Sequence, residues 1–140
     1  MTYLIDTNVV SEVRKGRACD ANVAAWYAEL DDDDLYLSVL AVGEVRNGIE
    51  RLRRRDRHQA ERLEQWLVEL TRAFGPRILG IDRAVAEAWG RMAAIRPVPA
   101  IDGLMAATAM VHDLTLATRN LADVAGLGAK AVNPWAVTPP

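Results

Sequence analysis

The stretch Thr2-Tyr3-Leu4-Ile5-Asp6 is a short apolar run that ends in a carboxylate. Its length and its β-branched content favour a buried strand. In an open α/β sheet, ligands bind beyond the carboxyl ends of the strands, so Asp6 would lie at a ligand-binding edge. An aspartate after a strand is also typical of the N-cap of a following helix. The sequence leaves these two interpretations of Asp6 evenly balanced.

Short apolar runs alternate with helical patterns along the rest of the chain. Asp20, Ser38 and Asp82 are each placed to cap a helix. The alternation predicts an α/β fold, in which a central parallel sheet of four to five strands carries helices on both faces. We expect one domain spanning residues 1–140, since that length suits a single core. The predicted strands cover residues 2–5, 35–37, 77–81, 114–117 and 132, and the predicted helices cover about 20–30, 38–55, 57–74, 82–92 and 100–111, with the aspartates at 31–34 closing the first helix.

Composition and charge exclude several classes of protein. The net charge is −2, from 17 basic and 19 acidic residues, so bulk charge gives no general attraction to nucleic acid and any RNA contact must be local. Cys19 is the only cysteine, which excludes an internal disulfide and a zinc site of several thiolates. No long apolar run is present, and Asp6 interrupts any signal-peptide core. We therefore expect a cytoplasmic protein with no membrane partner.

Glu44 occupies an unexpected face of its predicted helix. Arg46, Glu50 and Arg53 mark the solvated face at spacings of four and three, and Glu44 is offset by about 200° from Arg46. The face that carries Glu44 is small and mostly apolar. The carboxylate needs a partner there, because burial of an unpaired charge is costly. A buried arginine, a backbone cap and a metal ion are the candidate partners.

Two further aspartates are predicted to reach the same edge of the sheet. Asp102 falls in the first turn of an alanine-rich helix, where the helix dipole alone would favour an acid. The small side chains of this helix also allow it to approach the sheet closely. Asp123 follows the fourth predicted strand, where a solvated side chain is the simpler interpretation. With Asp6 and Glu44, these residues form a set of oxygen ligands, which selects a hard cation such as Mg²⁺ or Mn²⁺.

Five segments, spaced along nearly the whole chain, carry a known pattern. They are LIDTN at 4–8, SVLAVGE at 38–44, DGLMAATA at 102–109, TRNLAD at 118–123 and NPW at 133–135. On these segments the chain resembles PIN domains, and within them the VapC-type toxins of bacterial toxin–antitoxin pairs. Two positions depart from the pattern: Ala41 stands where the family often has a hydroxyl residue, and Val124 where it often has an aromatic one. Neither departure removes a carboxylate.

The resemblance implies a PIN fold and a Mg²⁺-dependent endoribonuclease, with Mn²⁺ as a second candidate cation. It further implies that an acidic quartet holds the metal and catalyses hydrolysis of an RNA phosphodiester, while three polar residues support the substrate. The quartet and the three polar residues are, respectively, Asp6, Glu44, Asp102 and Asp123, and Thr7, Asn8 and Asn120.

The resemblance also implies two protein partners, a second copy of the chain in a homodimer and a cognate antitoxin. The antitoxin would lay a helix across an apolar groove and place a basic side chain among the carboxylates. Arginines between positions 46 and 62 are open to two interpretations. They would contact RNA phosphates, or they would belong to a solvated surface with interspersed acids.

Two other functions remain open. A non-catalytic module would keep the PIN fold only as an interaction surface, although the presence of all four acids weighs against it. A phospho-aspartyl α/β domain would usually need a second acid beside Asp6 and a lysine near a late strand. Instead, Thr7 and Asn8 follow Asp6, and Lys130 lies in a glycine-rich loop.

Overall fold

A parallel five-stranded sheet forms the centre of the protein, whose computed structural model describes residues 1–136. The strands are β1 (Tyr3–Ile5), β2 (Leu35–Ser38), β3 (Ile78–Leu79), β4 (Thr115–Ala117) and β5 (Ala131–Val132). They lie in the order β3-β2-β1-β4-β5, and every neighbouring pair is parallel. Tyr3 of β1 is in register with Leu35 on one side and with Thr115 on the other. The predicted α/β class is confirmed.

Helices cover both faces of this sheet. Leu4 and Ile5 point to opposite faces of β1, and both are almost fully buried, at 0% and 2% exposure. On the sheet, α4 contacts β2, while α6 contacts β1 and β4. Within residues 1–136, no helix has the length and apolar character needed to cross a membrane. The helices are α1 (Thr7–Val13), α2 (Ala21–Ala28), α3 (Val39–Arg53), α4 (Arg57–Phe74), α5 (Arg83–Ala93), α6 (Ala100–Val111) and α7 (Leu121–Val124).

The predicted helix starts are confirmed, whereas some predicted boundaries are wrong. Asp20, Ser38 and Asp82 each accept hydrogen bonds from backbone N–H groups of the helices that they precede. The aspartates at 31–34 do not close α2, which ends at Ala28; three of them form a 3₁₀ turn that leads into β2. The third strand is two residues long instead of five, and neither α1 nor α7 is among the predicted helices. Short elements such as these have too few residues to show a periodic pattern.

The solvated face predicted on α3 is confirmed as an ion-pair network. Arg46 and Arg53 both pair with Glu50 on α3 and with Glu64 on α4, at distances of 2.6–3.1 Å. Beneath this network, Ile49 packs against α4 in a small second core. The two helices therefore form a hairpin, and the opposite charges on its outer surface neutralise one another. For these two arginines, the ion pairs favour the interpretation as a solvated surface.

Gly103 allows α6 to approach α5 and the loop before α6 closely. A Cβ atom at this position would lie 3.0 Å from Val98 Cγ1 and 3.1 Å from Trp89 Cδ1 and Nε1. Both distances are shorter than ordinary van der Waals contact. Further along α6, the small side chains of Ala106, Ala107 and Ala109 are fully buried. The alanine-rich sequence thus fits a helix held tightly between α5 and the sheet.

We expect Gly103→Ala to destabilise the protein by about 1 kcal/mol, because overpacking costs about 1–3 kcal/mol and improved helix propensity returns up to about 1 kcal/mol. Gly90→Ala is the matched control, since Gly90 is an exposed position of α5 with open space around its Cβ direction. That variant should be more stable than the parent by about 0.5–1 kcal/mol. Urea unfolding of the three proteins measures both differences. Equal stabilisation by the two substitutions would show that Gly103 is not required for the helix approach.

Candidate active site

The predicted site residues lie where the strand order of the sheet reverses. From β1, the chain builds the sheet outward through β2 and β3 on one side, and β4 and β5 occupy the other side. The crevice between β1 and β4 is therefore the switch point at which open parallel sheets bind ligands. A backbone hydrogen bond joins the ends of the two strands there, since the Asp6 N–H donates to the Ala117 carbonyl oxygen at 2.9 Å. Asp6 and Thr118 are the first residues beyond these two strands.

Asp6 caps a helix and also lies at the predicted edge of the sheet, beyond the end of β1. It is the N-cap of α1, where its Oδ1 accepts from the Thr7 N–H at 2.7 Å. Its Oδ2 accepts from the Asn8 side-chain amide at 3.2 Å and from the Thr118 hydroxyl at 2.6 Å. The residue is only 7% exposed. A carboxylate this deeply buried is fixed by neutral donors, which orient it without neutralising its charge.

Glu44 has a different partner from the ones considered from sequence. The Thr7 hydroxyl donates to Glu44 Oε1 at 2.6 Å, and this contact joins α1 to α3. Among residues 1–136, neither a buried arginine nor a backbone cap bonds this carboxylate. Thr7 therefore contacts both acids, through its backbone N–H to Asp6 and through its side chain to Glu44.

Asp102 is electrostatically coupled to the other three acids. Burial raises the pKa of its carboxyl group, and Asp6, Asp123 and Glu44 raise it further through like-charge repulsion. Within residues 1–136, none of the four acids forms a salt bridge with a basic side chain. The fold thus brings the predicted quartet into one uncompensated negative region. Asp102 also lies in the first turn of α6, so its position as a helix-start acid is combined with repulsion from the other three acids.

The loop of Asp123, which is the segment after β4 and includes the short helix α7, is joined to the centre of the site by Thr118. The Thr118 hydroxyl donates to Asp6 and accepts from the Asn120 N–H at 3.1 Å, and Thr118 is 2% exposed. Asn120 and Asn8 are both at the site, where Asn8 Oδ1 also accepts from the Arg119 N–H at 3.4 Å. Sequence reasoning assigned no role to Thr118. The available signal was a threonine directly after a predicted strand, at the same edge as Asp6.

A second buried acid shows how different the quartet is from a structural carboxylate. Glu12, 8% exposed, accepts from Lys15 Nζ at 2.9 Å and from the Asp20 N–H at 2.8 Å. The Lys15 ammonium and the Asp20 N–H hold the pKa of Glu12 below its usual value. This carboxylate joins α1 to the start of α2 and is fully compensated. Sequence reasoning also missed it, since nothing in the pattern separates it from a surface glutamate.

The quartet fits a divalent cation by its chemistry but not as a preformed cage. All its side-chain donors are carboxylate oxygens, the ligands that Mg²⁺ and Mn²⁺ prefer, and mutual repulsion favours entry of a cation. However, no group of three or more His, Cys, Asp or Glu side chains in residues 1–136 is arranged so that it could hold a metal ion. Asp6 and Glu44 are instead engaged with hydroxyl and amide donors.

We expect Asp102→Asn to raise the melting temperature of the metal-free protein by about 3 °C, roughly the effect of 1 kcal/mol in a domain of this size. The pKa of the Asp102 carboxyl group is higher in the folded protein than in the unfolded chain. Its protonated form therefore contributes to the stability of the fold at pH values below the unfolded-state pKa. That contribution is lost as the pH rises through the folded value. The gain should therefore appear above about pH 4 and grow towards neutral pH. Melting curves in EDTA from pH 4 to pH 8 measure it.

The alternative assignment of Asp102 predicts the opposite sign. A helix-start acid stabilises its helix by about 0.3–1 kcal/mol, so its loss would lower the melting temperature. A lower melting temperature for Asp102→Asn in EDTA would thus contradict the shared acidic site. Asp113→Asn is a suitable control, because Asp113 is exposed and pairs with Lys130 away from the quartet.

Comparisons with known proteins give consistent results over nearly the whole chain. The family model described as the PIN domain matches residues 3–123. Toxin FitB of Neisseria gonorrhoeae is 35% identical over 94% of this chain and 97% of its own length. The VapC ribonuclease Y4jK of Sinorhizobium fredii is 32% identical over 94% of this chain and 96% of its own length. The crystal structure of FitAcB from Neisseria gonorrhoeae superposes with a TM-score of 0.88 at 32% identity, covering 97% of this chain and 100% of the other.

Proposed function

The chain belongs to the PIN domain family, and from this membership we propose that it is a metal-dependent endoribonuclease, the toxin of a toxin–antitoxin pair. The observation that carries the proposal is the uncompensated acidic region at the switch point of the sheet, in which Asp102 is coupled to Asp6, Asp123 and Glu44. Relatives over nearly the full length of the chain are named as a toxin and as a VapC ribonuclease. The single domain, the cytoplasmic location and the homodimer remain predictions.

In this proposal, Asp6, Glu44, Asp102 and Asp123 hold Mg²⁺, with Mn²⁺ as an alternative. The bound cation would polarise a phosphoryl oxygen and lower the pKa of an attacking water. The chain's own contribution is orientation of the acids. Thr7 fixes one oxygen of Glu44, while the donors to Asp6 leave that side chain little freedom to rotate.

The polar residues Asn8 and Asn120 are proposed to support the RNA. Asn8 Nδ2 donates to Asp6, and the backbone N–H of Asn120 donates to Thr118, so both residues are held at the rim of the acidic region. Amide side chains at such a rim are suited to hydrogen-bond phosphate or sugar oxygens. Thr7 instead supports a proposed metal ligand, because its hydroxyl donates to Glu44.

The alternative functions fit the geometry less well. A phospho-aspartyl domain would usually need a second acid beside Asp6, whereas Thr7 and Asn8 follow it and both donate to its carboxylate. Lys130, in the glycine-rich loop that directly precedes β5, pairs with Asp113 at 3.0 Å. A non-catalytic module has no need for four coupled acids, because uncompensated charge destabilises the fold.

We expect the purified protein to cleave RNA in the presence of Mg²⁺ or Mn²⁺ and to stop when EDTA is added. Glu44→Gln should lower the cleavage rate by at least about tenfold, because it removes one charged metal ligand. Electrophoresis of an end-labelled pool of cellular RNA detects the products. Glu50→Gln is the matched control on the same helix, in the solvated network, and it should retain the parent rate. Cleavage that persists in EDTA, or equal rates for the parent and Glu44→Gln, would refute the proposal.

An apolar groove beside the acids is the proposed binding site for an antitoxin helix. It has a volume of about 220 Å³, and aliphatic and aromatic side chains form most of its lining, with Arg14 as the charged member. A second groove of about 280 Å³ shares Trp66 and Arg14 with the first and extends to Thr7 and Glu44. A helix in the first groove could therefore continue along the second and place a basic side chain beside Glu44. The first groove is lined by Ile5, Val10, Val13, Arg14, Tyr27, Trp66, Leu70 and Phe74.

We expect Val13→Glu to weaken binding of the protein encoded by an adjacent short reading frame by at least about tenfold, since a charge would be buried in the apolar contact. Val68→Glu is the control, because Val68 is an exposed valine of α4 that does not line either groove. Calorimetric titration measures both affinities, and growth after co-expression reports neutralisation. Equal weakening by the two substitutions, or no complex with the parent chain, would contradict the groove assignment.

A further inference from the structure

We infer that Arg96 is a positioning residue that fixes the loop of Asp123 at the acidic site, an inference that rests on the proposed function. Its Nη2 donates to three backbone carbonyl oxygens of one short segment. These acceptors are Ala122 at 3.2 Å, Asp123 at 3.2 Å and Ala125 at 2.8 Å. The Asp123 main chain is thus in direct contact with a guanidinium from the connection between α5 and α6.

Val124 and Leu127 anchor the segment in the hydrophobic core, at 4% and 3% exposure, but few hydrogen bonds hold its backbone at the acidic site. The helix α7 is only four residues long, and its N-cap Asn120 makes no side-chain capping bond. On the N-terminal side, the loop is held by the Asn120 N–H to Thr118 contact and by the Asp123 N–H to Asn120 oxygen bond of 3.1 Å. On the C-terminal side, the carbonyls at the end of a helix lack intrahelical partners, and Arg96 satisfies them. Both ends of the turn that carries Asp123 are therefore anchored.

Arg96 also joins Asp123 to the element that carries Asp102. Its Nη1 donates to the Pro97 carbonyl oxygen at 3.3 Å, in the short connection that leads into α6. The pyrrolidine rings at Pro97 and Pro99 restrict the backbone of that connection. A single side chain thus holds the entry to the Asp102 helix against the exit of the Asp123 helix. This arrangement predicts that loss of Arg96 displaces Asp123 relative to the other acids.

The direction of the change in cation affinity distinguishes a positioning role of Arg96 from a purely electrostatic role. In a purely electrostatic role, the positive charge of Arg96 would repel a cation, so Arg96→Ala would bind divalent cations more tightly. A positioning role predicts weaker binding, because one ligand is no longer held in place. Lysine keeps the charge but lacks the planar fork that reaches several carbonyls at once. Positioning therefore predicts that Arg96→Lys is weakened as well.

The experiment measures binding of Mn²⁺ alone to the intact protein, by the loss of the free-ion signal in electron paramagnetic resonance. We expect Kd to rise by about tenfold in Arg96→Ala and to rise clearly in Arg96→Lys, a loss of the size seen when residues that support metal ligands are removed. Arg91→Ala is the matched control, since Arg91 is an exposed residue at the end of α5 whose side chain makes no hydrogen bond within residues 1–136. Unchanged or tighter binding by Arg96→Ala would overturn the inference, as would parent affinity in Arg96→Lys.

Double variants show whether Arg96 acts through Asp123. Adding Arg96→Ala to Asp123→Asn should raise Kd by less than about twofold, because the ligand that Arg96 positions is already lost. Adding it to Glu44→Gln should still raise Kd by about tenfold. Equal effects in both backgrounds would overturn the inference, since a general loss of stability would not distinguish the two acids.

Hydrogen exchange of the metal-free protein supplies a readout independent of the metal. In both Arg96 variants, amides of residues 121–127 should exchange faster, while those of the central strands keep the parent rates. Unchanged exchange in that segment would overturn the role of Arg96 even if Mn²⁺ binding fell. If the parent neither binds Mn²⁺ nor cleaves RNA, the proposed function fails, and the exchange rates still decide whether Arg96 holds the Asp123 loop.

Discussion

The buried hydrogen bond between the Thr118 hydroxyl and the Asp6 carboxylate is the contact on which the rest of the site depends. It joins the ends of β1 and β4, the two strands that flank the switch point. From Asp6, the connection continues through Thr7 to Glu44 on α3; from Thr118, it continues through Asn120 to the loop of Asp123. Two threonine hydroxyls therefore connect residues that lie far apart in sequence. They fix the directions of the Asp6 and Glu44 carboxylates without adding a positive charge to the site.

Repulsion among the acids of the site lowers the stability of the fold. Buried acids in proteins are normally paired, as Glu12 is with Lys15 and a backbone N–H. The quartet has no such ion pairs within residues 1–136, and repulsion from the other three acids contributes to the raised pKa of Asp102. Local unfavourable electrostatics of this kind are typical of sites that bind a cation or catalyse a reaction. The structural consequence is a fold that needs strong support elsewhere, such as the tight packing of α6 around Gly103.

The sequence predicted the long elements, their caps and the four acids, because apolar periodicity and cap residues are local signals. It did not predict α1, α7 or the shortness of β3, since these elements contain too few residues to show a period. The partner of Glu44 could not be found from sequence: Thr7 is 37 positions away, and only the packing of α1 on α3 brings them together. Thr118 and Arg96 were missed for the same reason, because a single threonine or arginine carries no pattern. The resemblance to PIN domains selected the four acids as the predicted metal site, and the fold shows which contacts hold Asp6 and Glu44.

The order of the strands also sets the order in which the protein can assemble. The first strand lies at the middle of the sheet, and the contact between Asp6 and Thr118 spans 112 positions of the chain. Contacts of such long range form late, because the loop that they close is long. During synthesis, α1 to α5 emerge from the ribosome before Thr118 and Asp123 exist. A chain that is proposed to cut RNA therefore cannot complete its acidic site until most of its own messenger has been translated.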